Sequence, residues 1–90
     1  MKLNFEWDED KAKTNIKKHG VSFNEAITVF LDPFSITIPD PNHSADEQRY
    51  ISIGSSGQGR VLVVVYNERS LRTRIISCRK ATPTERKQYE

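Results

Sequence analysis

The side chains of this chain that could do chemistry are mainly arginines in its C-terminal half. Residues 51–90 carry eight Lys or Arg against three Asp or Glu, and six of those eight cations are Arg, whereas residues 1–50 have a net charge of −3. Guanidinium groups bind phosphate and carboxylate groups in a bidentate manner. The asymmetry therefore indicates an anionic partner for the C-terminal half, the alternative being an ordinary solvated surface of mixed charge.

One arrangement of these arginines would suit the cleavage of RNA. Cleavage without a metal needs a base for the ribose 2′-OH, cations that stabilise the charge on the phosphate, and an acid for the leaving 5′-oxygen. Arginine can do only the second of these, because it keeps its proton. The arginines that strands and a final helix should bring together are Arg49, Arg74, Arg79 and Arg86. The candidate proton carriers are His19, Glu47 and Tyr89.

Each proton carrier also has a structural alternative. The role of His19 could be limited to complementing the dipole at the C-terminal end of a helix. Glu47 could serve as an ion-pair partner of Arg49, and Tyr89 could serve as a packing residue, with no role in proton transfer for either. A metal centre is not expected, because His19 has no acidic or His neighbour at helical spacing. His43 does have acidic neighbours, but it lies in a Pro-containing polar loop without the EF-hand pattern.

No cofactor site is expected either. Residues 55–59 contain glycines but lack the spacing of a phosphate-binding fingerprint and join two strands, so they predict a hairpin turn. Cys78 is the only cysteine and lies in an apolar strand, which favours a buried core residue over a nucleophile. No apolar run approaches the length of a membrane span, and the N-terminus has no hydrophobic signal region. The protein is therefore expected to have no membrane association and to reside in the reducing cytoplasm.

The stretch from Arg60 to Arg79 is expected to organise the fold. Residues 61–66 are an unbroken apolar run typical of a buried strand, residues 67–70 supply a turn, and residues 71–79 resume as the second strand of an antiparallel hairpin. Side chains that alternate regularly along the second strand would point to two opposite faces, and each face would carry one arginine beside apolar or small residues. One face carries Arg74, Ile76 and Cys78, and the other carries Thr73, Ile75, Ser77 and Arg79.

The rest of the chain predicts three helices and three further strands. Asp8, Ser22 and Thr82 are candidate helix N-caps, the last two in capping boxes, and Gly20 ends the first helix. Alternating apolar residues predict strands near residues 3–7, 34–38 and 50–55. The expected fold class is α+β, an antiparallel β-sheet meander with two N-terminal helices and one C-terminal helix that all cover one side of the sheet. Residues 1–90 are expected to form a single domain.

Several segments between residues 5 and 89 form a recognisable pattern. They are Phe5-Glu-Trp-Asp8, residues 15–23 and 26–30, Glu47-Gln-Arg49, Gly54, Arg74-Ile-Ile-Ser-Cys-Arg79-Lys-Ala81, Glu85-Arg86 and Tyr89. Together they resemble the BrnT family of toxins from type II toxin–antitoxin pairs, with one departure at Cys78, where a small residue, usually Ala, is expected. The resemblance implies a RelE-like ribonuclease fold and metal-independent RNA cleavage that halts translation. It also implies neutralisation by a BrnA-type antitoxin in a hetero-oligomer, with contact to operator DNA made through the antitoxin.

These observations lead to one hypothesis and one alternative. In the hypothesis the protein is an endoribonuclease toxin. Its scissile phosphate is bound by Arg49, Arg74 and Arg79, its protons are moved by His19, Glu47 or Tyr89, and RNA is also bound by Arg86, Lys80 and Arg60. The alternative is a non-catalytic module that binds nucleic acid or protein within a repressor complex, with the same cations contacting phosphates without turnover.

Overall fold

The structure, a computed structural model, describes residues 4–40, 48–69 and 71–90, so the loop that holds His43 and Glu47 lies outside the described residues. The predicted order of elements is confirmed. The strands are β1 (Asn4–Glu6), β2 (Ile36–Pro39), β3 (Arg49–Ser55), β4 (Val61–Arg69) and β5 (Arg72–Lys80). The helices are α1 (Glu9–His19), α2 (Phe23–Thr28) and α3 (Pro83–Tyr89), with a 3-10 turn at Val29–Leu31. Within the described ranges, no helix has the length and apolar character to cross a membrane.

The five strands form one mixed sheet in the order β1-β5-β4-β3-β2. The α+β class is confirmed, and β2 to β5 form the predicted antiparallel meander. β1 pairs with β5 in parallel, so the expectation of a purely antiparallel sheet is wrong. The pairing joins distant segments of the chain and is supported by packing, since the rings of Phe5 and Phe30 lie 5.0 Å apart. Patterns within a short window of sequence do not carry that information.

The hydrophobic core lies between the sheet and the first two helices. Its members from β4 and β5 are Leu62, Val64, Tyr66, Ile75 and Cys78, and its members from α1, α2 and their connection include Ala12, Val21, Phe23 and Ala26. Cys78 has no exposed surface, and burial raises the pKa of its thiol to about 12. The prediction that Cys78 is a core residue is therefore confirmed.

The third helix, α3, lies on the opposite face of the sheet. Val63 and Ile53 are directly paired neighbours on that face and are nevertheless buried. α3 contacts β3 and binds Arg79 of β5 through Glu85. The expectation that all helices cover one side is therefore wrong, because the apolar side chains at this end of the second face also require a cover.

The ends of α1 and α3 follow the predicted caps. The carboxylate of Asp8 accepts hydrogen bonds from two backbone N–H groups in the first turn of α1. Gly20 ends α1 in the left-handed conformation with φ of 69°, which glycine adopts without steric penalty. Thr82 and Glu85 form the complete capping box at the start of α3. Local sequence patterns therefore define these helix ends.

The capping box predicted for α2 is only half formed. The hydroxyl of Ser22 accepts from the N–H of Glu25 at 3.0 Å, as expected. The Glu25 carboxylate instead accepts from Arg60 and from the hydroxyl of Ser56, the latter at 2.7 Å. Because Ser56 and Arg60 belong to the β3–β4 loop, Glu25 ties α2 to that loop.

A β-bulge interrupts the pairing of β4 with β5. Tyr66 pairs with Ile75, whereas the preceding residue Val65 pairs with Ser77. Ile76 is thus an extra residue between two successive pairs, and it reverses the alternation of side chains along the strand. A bulge is not visible in the apolar pattern of this strand.

The bulge changes which arginines share a face. Arg74 pairs with Asn67 and Arg79 pairs with Val63, and both pairs point away from the helices α1 and α2. Ile75 points into the core, where it is 1% exposed. The predicted division into two faces with one arginine each is therefore wrong, because the extra residue places both arginines on the same side of the sheet.

Candidate functional site

The face of the sheet opposite α1 and α2 carries arginines from three strands, and we call it the arginine face. Its arginines are Arg49 of β3, Arg69 of β4, and Arg72, Arg74 and Arg79 of β5. Arg49 and Arg74 both pair with Asn67, and Arg69 pairs with Arg72. Because directly paired residues project to the same side of a sheet, the register alone places these side chains together.

Arg49 and Arg74 approach each other across Asn67. Neighbouring strands are about 4.8 Å apart, so the Cα atoms of the two arginines are separated by about 10 Å. On the other side of Arg74, a carboxylate oxygen of Glu6 lies 3.5 Å from its guanidinium, and both side chains are 31% exposed. Such a long, half-exposed contact leaves Arg74 able to bind an additional anionic group.

Arg79 lies about 15 Å from Arg74 along β5 and is bound by α3. Its two terminal nitrogens donate to the two carboxylate oxygens of Glu85 at 2.7 and 2.8 Å. This bidentate pair lowers the pKa of Glu85 to about 2. The same carboxylate accepts from the backbone N–H of Thr82 at 2.8 Å. Glu85 therefore caps α3 and orients Arg79 at the same time.

Arg60 and Lys80, which were predicted to bind RNA, lie off the arginine face. Lys80 pairs with Leu62 and so points toward the side of α1 and α2. Arg60 donates from Nε to Glu25 at 2.9 Å and from a terminal nitrogen to the other oxygen of that carboxylate. The Glu25 side chain is only 3% exposed, and its hydrogen bonds from Arg60 hold the pKa of the carboxyl below its usual range. The geometry of Arg60 is that of a structural anchor.

The described proton-carrier candidates lie near different strands of the sheet, His19 beside β5 and Tyr89 near the end of β3. His19 is exposed at the end of α1 and lines a cleft beside Ser77 of β5. Tyr89 lies near the C-terminal end of β3, where its hydroxyl donates to Asp32 and the N–H of Ser55 donates to the same carboxylate. Glu47 belongs to the loop outside the described residues. The fold therefore does not place His19 and Tyr89 around one common atom.

The contact of Tyr89 with Asp32 fastens α3 to the sheet. Asp32 also accepts from a backbone N–H of β3 at 2.8 Å, and this bond is the main reason that its pKa is lowered. The hydrogen bond to Asp32 raises the pKa of Tyr89. A phenol held in this way keeps its proton, which disfavours a role as a base.

Asn15 of α1 has a structural role that was not predicted from the sequence. Its amide oxygen accepts from the N–H of Cys78 at 3.1 Å, and its amide nitrogen donates to the carbonyl groups of Cys78 and Val21 at 2.8 and 2.9 Å. Asn15 thereby completes the edge of β5 much as a neighbouring strand would. The available signal was its spacing of three residues from Ala12, which places both on the buried face of α1.

Arg69 and Arg72 were also missed as members of the cationic surface. The predicted turn began at Asn67, whereas β4 continues to Arg69 and β5 begins at Arg72. The longer hairpin adds this directly paired arginine couple next to Arg74. A strand that ends in polar residues carries no apolar pattern by which to recognise its last three positions.

The fold and this surface define a small α+β protein whose sheet presents a cationic face suited to an anionic ligand. A family model described as the ribonuclease toxin BrnT of type II toxin–antitoxin systems matches residues 7–85. The chain therefore belongs to the BrnT family, which confirms the resemblance seen in its sequence segments.

The structure is similar to the 1.1 Å crystal structure of the Brucella abortus ribonuclease toxin BrnT. The TM-score is 0.72 and the sequence identity is 29%, with 90% of this chain and 99% of that chain covered. Among curated proteins, none matches this chain. Because the structural likeness is to a BrnT protein, the RelE-like description of the fold stays an expectation.

Proposed function

We propose that this protein is the toxin of a type II toxin–antitoxin pair and acts as an endoribonuclease that requires no metal ion. The observation that carries the proposal is the arginine face, on which Arg49, Arg74 and Arg79 share one surface through the register of β3, β4 and β5. Membership of the BrnT family supports ribonuclease activity. A cytoplasmic location is part of the proposal, since translated RNA is there.

In the proposed reaction the ribose 2′-oxygen attacks the adjacent phosphorus atom. A base takes the 2′-OH proton, the bond between phosphorus and the 5′-oxygen breaks, and an acid gives that oxygen a proton. The products are a 2′,3′-cyclic phosphate and a 5′-hydroxyl. Negative charge builds on the phosphate oxygens in the transition state, where fixed cations stabilise it most.

The arginines are assigned to that stabilisation. Arg49 and Arg74 flank Asn67 on the two neighbouring strands and project from the same side of the sheet. Both long side chains can therefore reach one phosphate. Arg79 stands further along β5 in its pair with Glu85, with 41% of its side chain exposed. We assign Arg79 to a neighbouring phosphate. Arg86 is exposed on α3 and contributes from the same side.

His19 is the preferred proton carrier among the described candidates. It is exposed and lines a cleft that includes Ser77, and Ser77 lies on the arginine face between Arg74 and Arg79. Tyr89 is assigned to the attachment of α3, because its hydroxyl is already donated to Asp32. Glu47 stays a candidate.

The proposed partner is a BrnA-type antitoxin that forms a hetero-oligomer with this chain and makes any contact with operator DNA. All four residues of β2 are exposed, and Ile36 and Ile38 present apolar side chains at this edge of the sheet. An edge strand offers backbone groups to which a partner segment can add. We assign the antitoxin to this edge or to the arginine face. An interface confined to the outer surface of α1 and α2 would contradict the assignment.

Incubation of purified protein with RNA in EDTA tests the function. The expected result is cleavage to fragments that end in a 2′,3′-cyclic phosphate, and full loss of activity on chelation would contradict the mechanism. Arg74→Ala should impair cleavage, whereas Lys17→Ala, on the exposed surface of α1, is the control. Binding without cleavage, together with no growth arrest when the protein is expressed, would favour the non-catalytic module.

Co-expression tests the partner. Growth arrest by this chain alone and its relief by the neighbouring open reading frame are expected. Growth arrest that persists in the presence of a soluble, abundant neighbour product would contradict neutralisation by that product.

A further inference from the structure

The cleft between α1 and β5 that His19 lines also carries side chains to which the proposed reaction assigns no role. β1 covers β5 only along residues 72–74, and further along the strand Asn15 of α1 bonds the backbone of Cys78. Between these two points, the bulged residues Ile76 and Ser77 border an open cleft of about 290 Å³. The cleft exists because β1 is short and the bulge turns this part of β5 out of the regular sheet.

One face of α1 gives the cleft its charge. Lys11, Thr14 and Lys18 follow one another at intervals of three and four residues, which places them in a row on the helix surface. His19 closes the row at the C-terminal end of α1, and Asp10 is the acidic member at the other end. Two lysines, one imidazole and one carboxylate make a cleft in which cationic groups outnumber acidic ones.

The cleft is continuous with the arginine face. Ser77 belongs to both, since it lines the cleft and pairs with Val65 on the side of the sheet that carries Arg74 and Arg79. The Cα atoms of Ser77 and Arg74 are about 10 Å apart along the strand. A chain of phosphates bound across Arg74 would therefore reach the cleft within one or two linkages.

We propose that this cleft is a second phosphate-binding subsite for single-stranded RNA, next to the one that holds the scissile linkage. Lys11 and Lys18 neutralise the phosphate as point charges, and the hydroxyls of Thr14 and Ser77 donate hydrogen bonds to its oxygens. The inference rests on the proposed function, because RNA is taken as the ligand of the arginine face. It adds a named set of residues on α1 that position the RNA chain.

The chain offers a matched pair of variants for the test. Lys11→Gln/Lys18→Gln removes two charges from the cleft, and Lys13→Gln/Lys17→Gln removes two charges from the same helix at positions that do not line the cleft. Lysine and glutamine have similar helix propensities, so both variants should keep α1 folded. Circular dichroism during thermal unfolding checks this for each variant.

The probe is a short fluorescein-labelled RNA with 2′-O-methyl groups throughout, which cannot be cleaved, and binding is followed by anisotropy. Lys11→Gln/Lys18→Gln should weaken binding about tenfold at about 50 mM salt. It should also reduce the slope of log K against log salt by about 0.7, since the two lysines neutralise one phosphate and each neutralised phosphate of a single strand contributes about 0.7. Lys13→Gln/Lys17→Gln should change the affinity less than about twofold.

Equal losses in the two double variants would overturn the proposal, because they would reflect general charge rather than the cleft. Unchanged binding by a folded Lys11→Gln/Lys18→Gln variant would overturn it as well. If that variant is unfolded, Lys18→Gln against Lys17→Gln gives the same comparison with one charge each. The subsite and the proposed function can be refuted separately. If Lys11→Gln/Lys18→Gln selectively weakens RNA binding but the wild-type protein does not cleave RNA, the function alone is refuted. If the wild-type protein cleaves RNA but that variant shows no selective loss of binding, the subsite alone is refuted.

Discussion

Arg60 and Arg74 are the same residue type on two sides of one sheet, and the structure uses them in different ways. Arg60 makes a bidentate contact with Glu25, whose side chain is 3% exposed. Arg74 has a carboxylate of Glu6 at 3.5 Å, and that carboxylate is 31% exposed. The first pair is closed to other ligands, whereas the second is open to them.

The difference shows what makes an arginine available for function. A buried carboxylate cannot exchange its arginine for water without a large penalty, so the Glu25–Arg60 pair holds the β3–β4 loop to α2. A half-exposed carboxylate is well solvated on its own, so Arg74 can leave Glu6 for a phosphate at little cost. The burial of the partner, rather than the presence of a partner, separates the arginine that is closed to other ligands from the one that is open to them.

The largest expected effect is on stability at the buried pair. Glu25→Gln should lower the free energy of unfolding by about 3 kcal/mol, because it removes the anion from a buried contact and weakens the hydrogen bond from Ser56. In a domain of this size Tm should fall by more than about 10 °C. Urea titration measures the change, with the exposed Glu9→Gln as control. A loss below about 1 kcal/mol would mean that the pair does not hold the loop.

The next largest effect is expected on the rate of RNA cleavage when Arg49 or Arg74 of the arginine face is replaced. Arg49→Ala and Arg74→Ala should each reduce the rate of RNA cleavage about 100-fold, because each removes a cation from the phosphate in the transition state. The double variant should lose less than the product of the two, since both arginines act on the same group. Single-turnover rates in EDTA measure the cycle. Fully independent effects would contradict a shared phosphate.

A smaller effect on stability is expected at Glu85, whose pair with Arg79 is intermediate between the buried Glu25–Arg60 pair and the open Glu6–Arg74 pair. Glu85→Gln should keep the capping box but lose the ion pair with Arg79, at about 1 kcal/mol near neutral pH. The folded pKa of Glu85 is lowered from 4.5 to about 2, so its contribution is present above pH 4.5 and is lost as the pH falls toward 2. The stabilities of wild type and variant should therefore converge on acidification. A difference that does not depend on pH would show that the ion pair contributes nothing.

The smallest effect is expected at Tyr89. Tyr89→Phe removes the hydrogen bond to Asp32 and should cause a small decrease in Tm by loosening the end of α3. Cleavage should stay within about twofold of wild type, since the hydroxyl is assigned to attachment rather than to proton transfer. A fall in rate comparable to that of Arg74→Ala, with Tm unchanged, would make Tyr89 a proton carrier and reverse this assignment.

Local features of the fold could be predicted from the sequence. Asp8, Gly20 and the Thr82–Glu85 box define helix ends through bonds within one turn, and the valine-rich run of β4 indicates a strand by itself. Features that depend on distant residues could not be predicted. β1 joins β5 in parallel because of packing across the core, and α3 crosses to the other face because Val63 and Ile53 need a cover.

The sequence supplied candidate residues for the site but not their arrangement. Arg74 and Arg79 were expected on opposite faces, and the bulge at Ile76, which no residue type signals, places them together. Glu25 was read as a capping residue, since its spacing from Ser22 fits a capping box, and its bond to Arg60 depends on the β3–β4 loop. A sequence motif gives the donors and acceptors, whereas the register decides which of them meet.

The most direct test of this account is the single-turnover rate of RNA cleavage in EDTA by Arg74→Ala, with the urea midpoint determined on the same sample. The account predicts a rate about 100-fold below wild type and a free energy of unfolding within about 1 kcal/mol of it. A wild-type rate, or a collapse of stability like that expected for Glu25→Gln, would contradict the claim that the open arginine face does the chemistry.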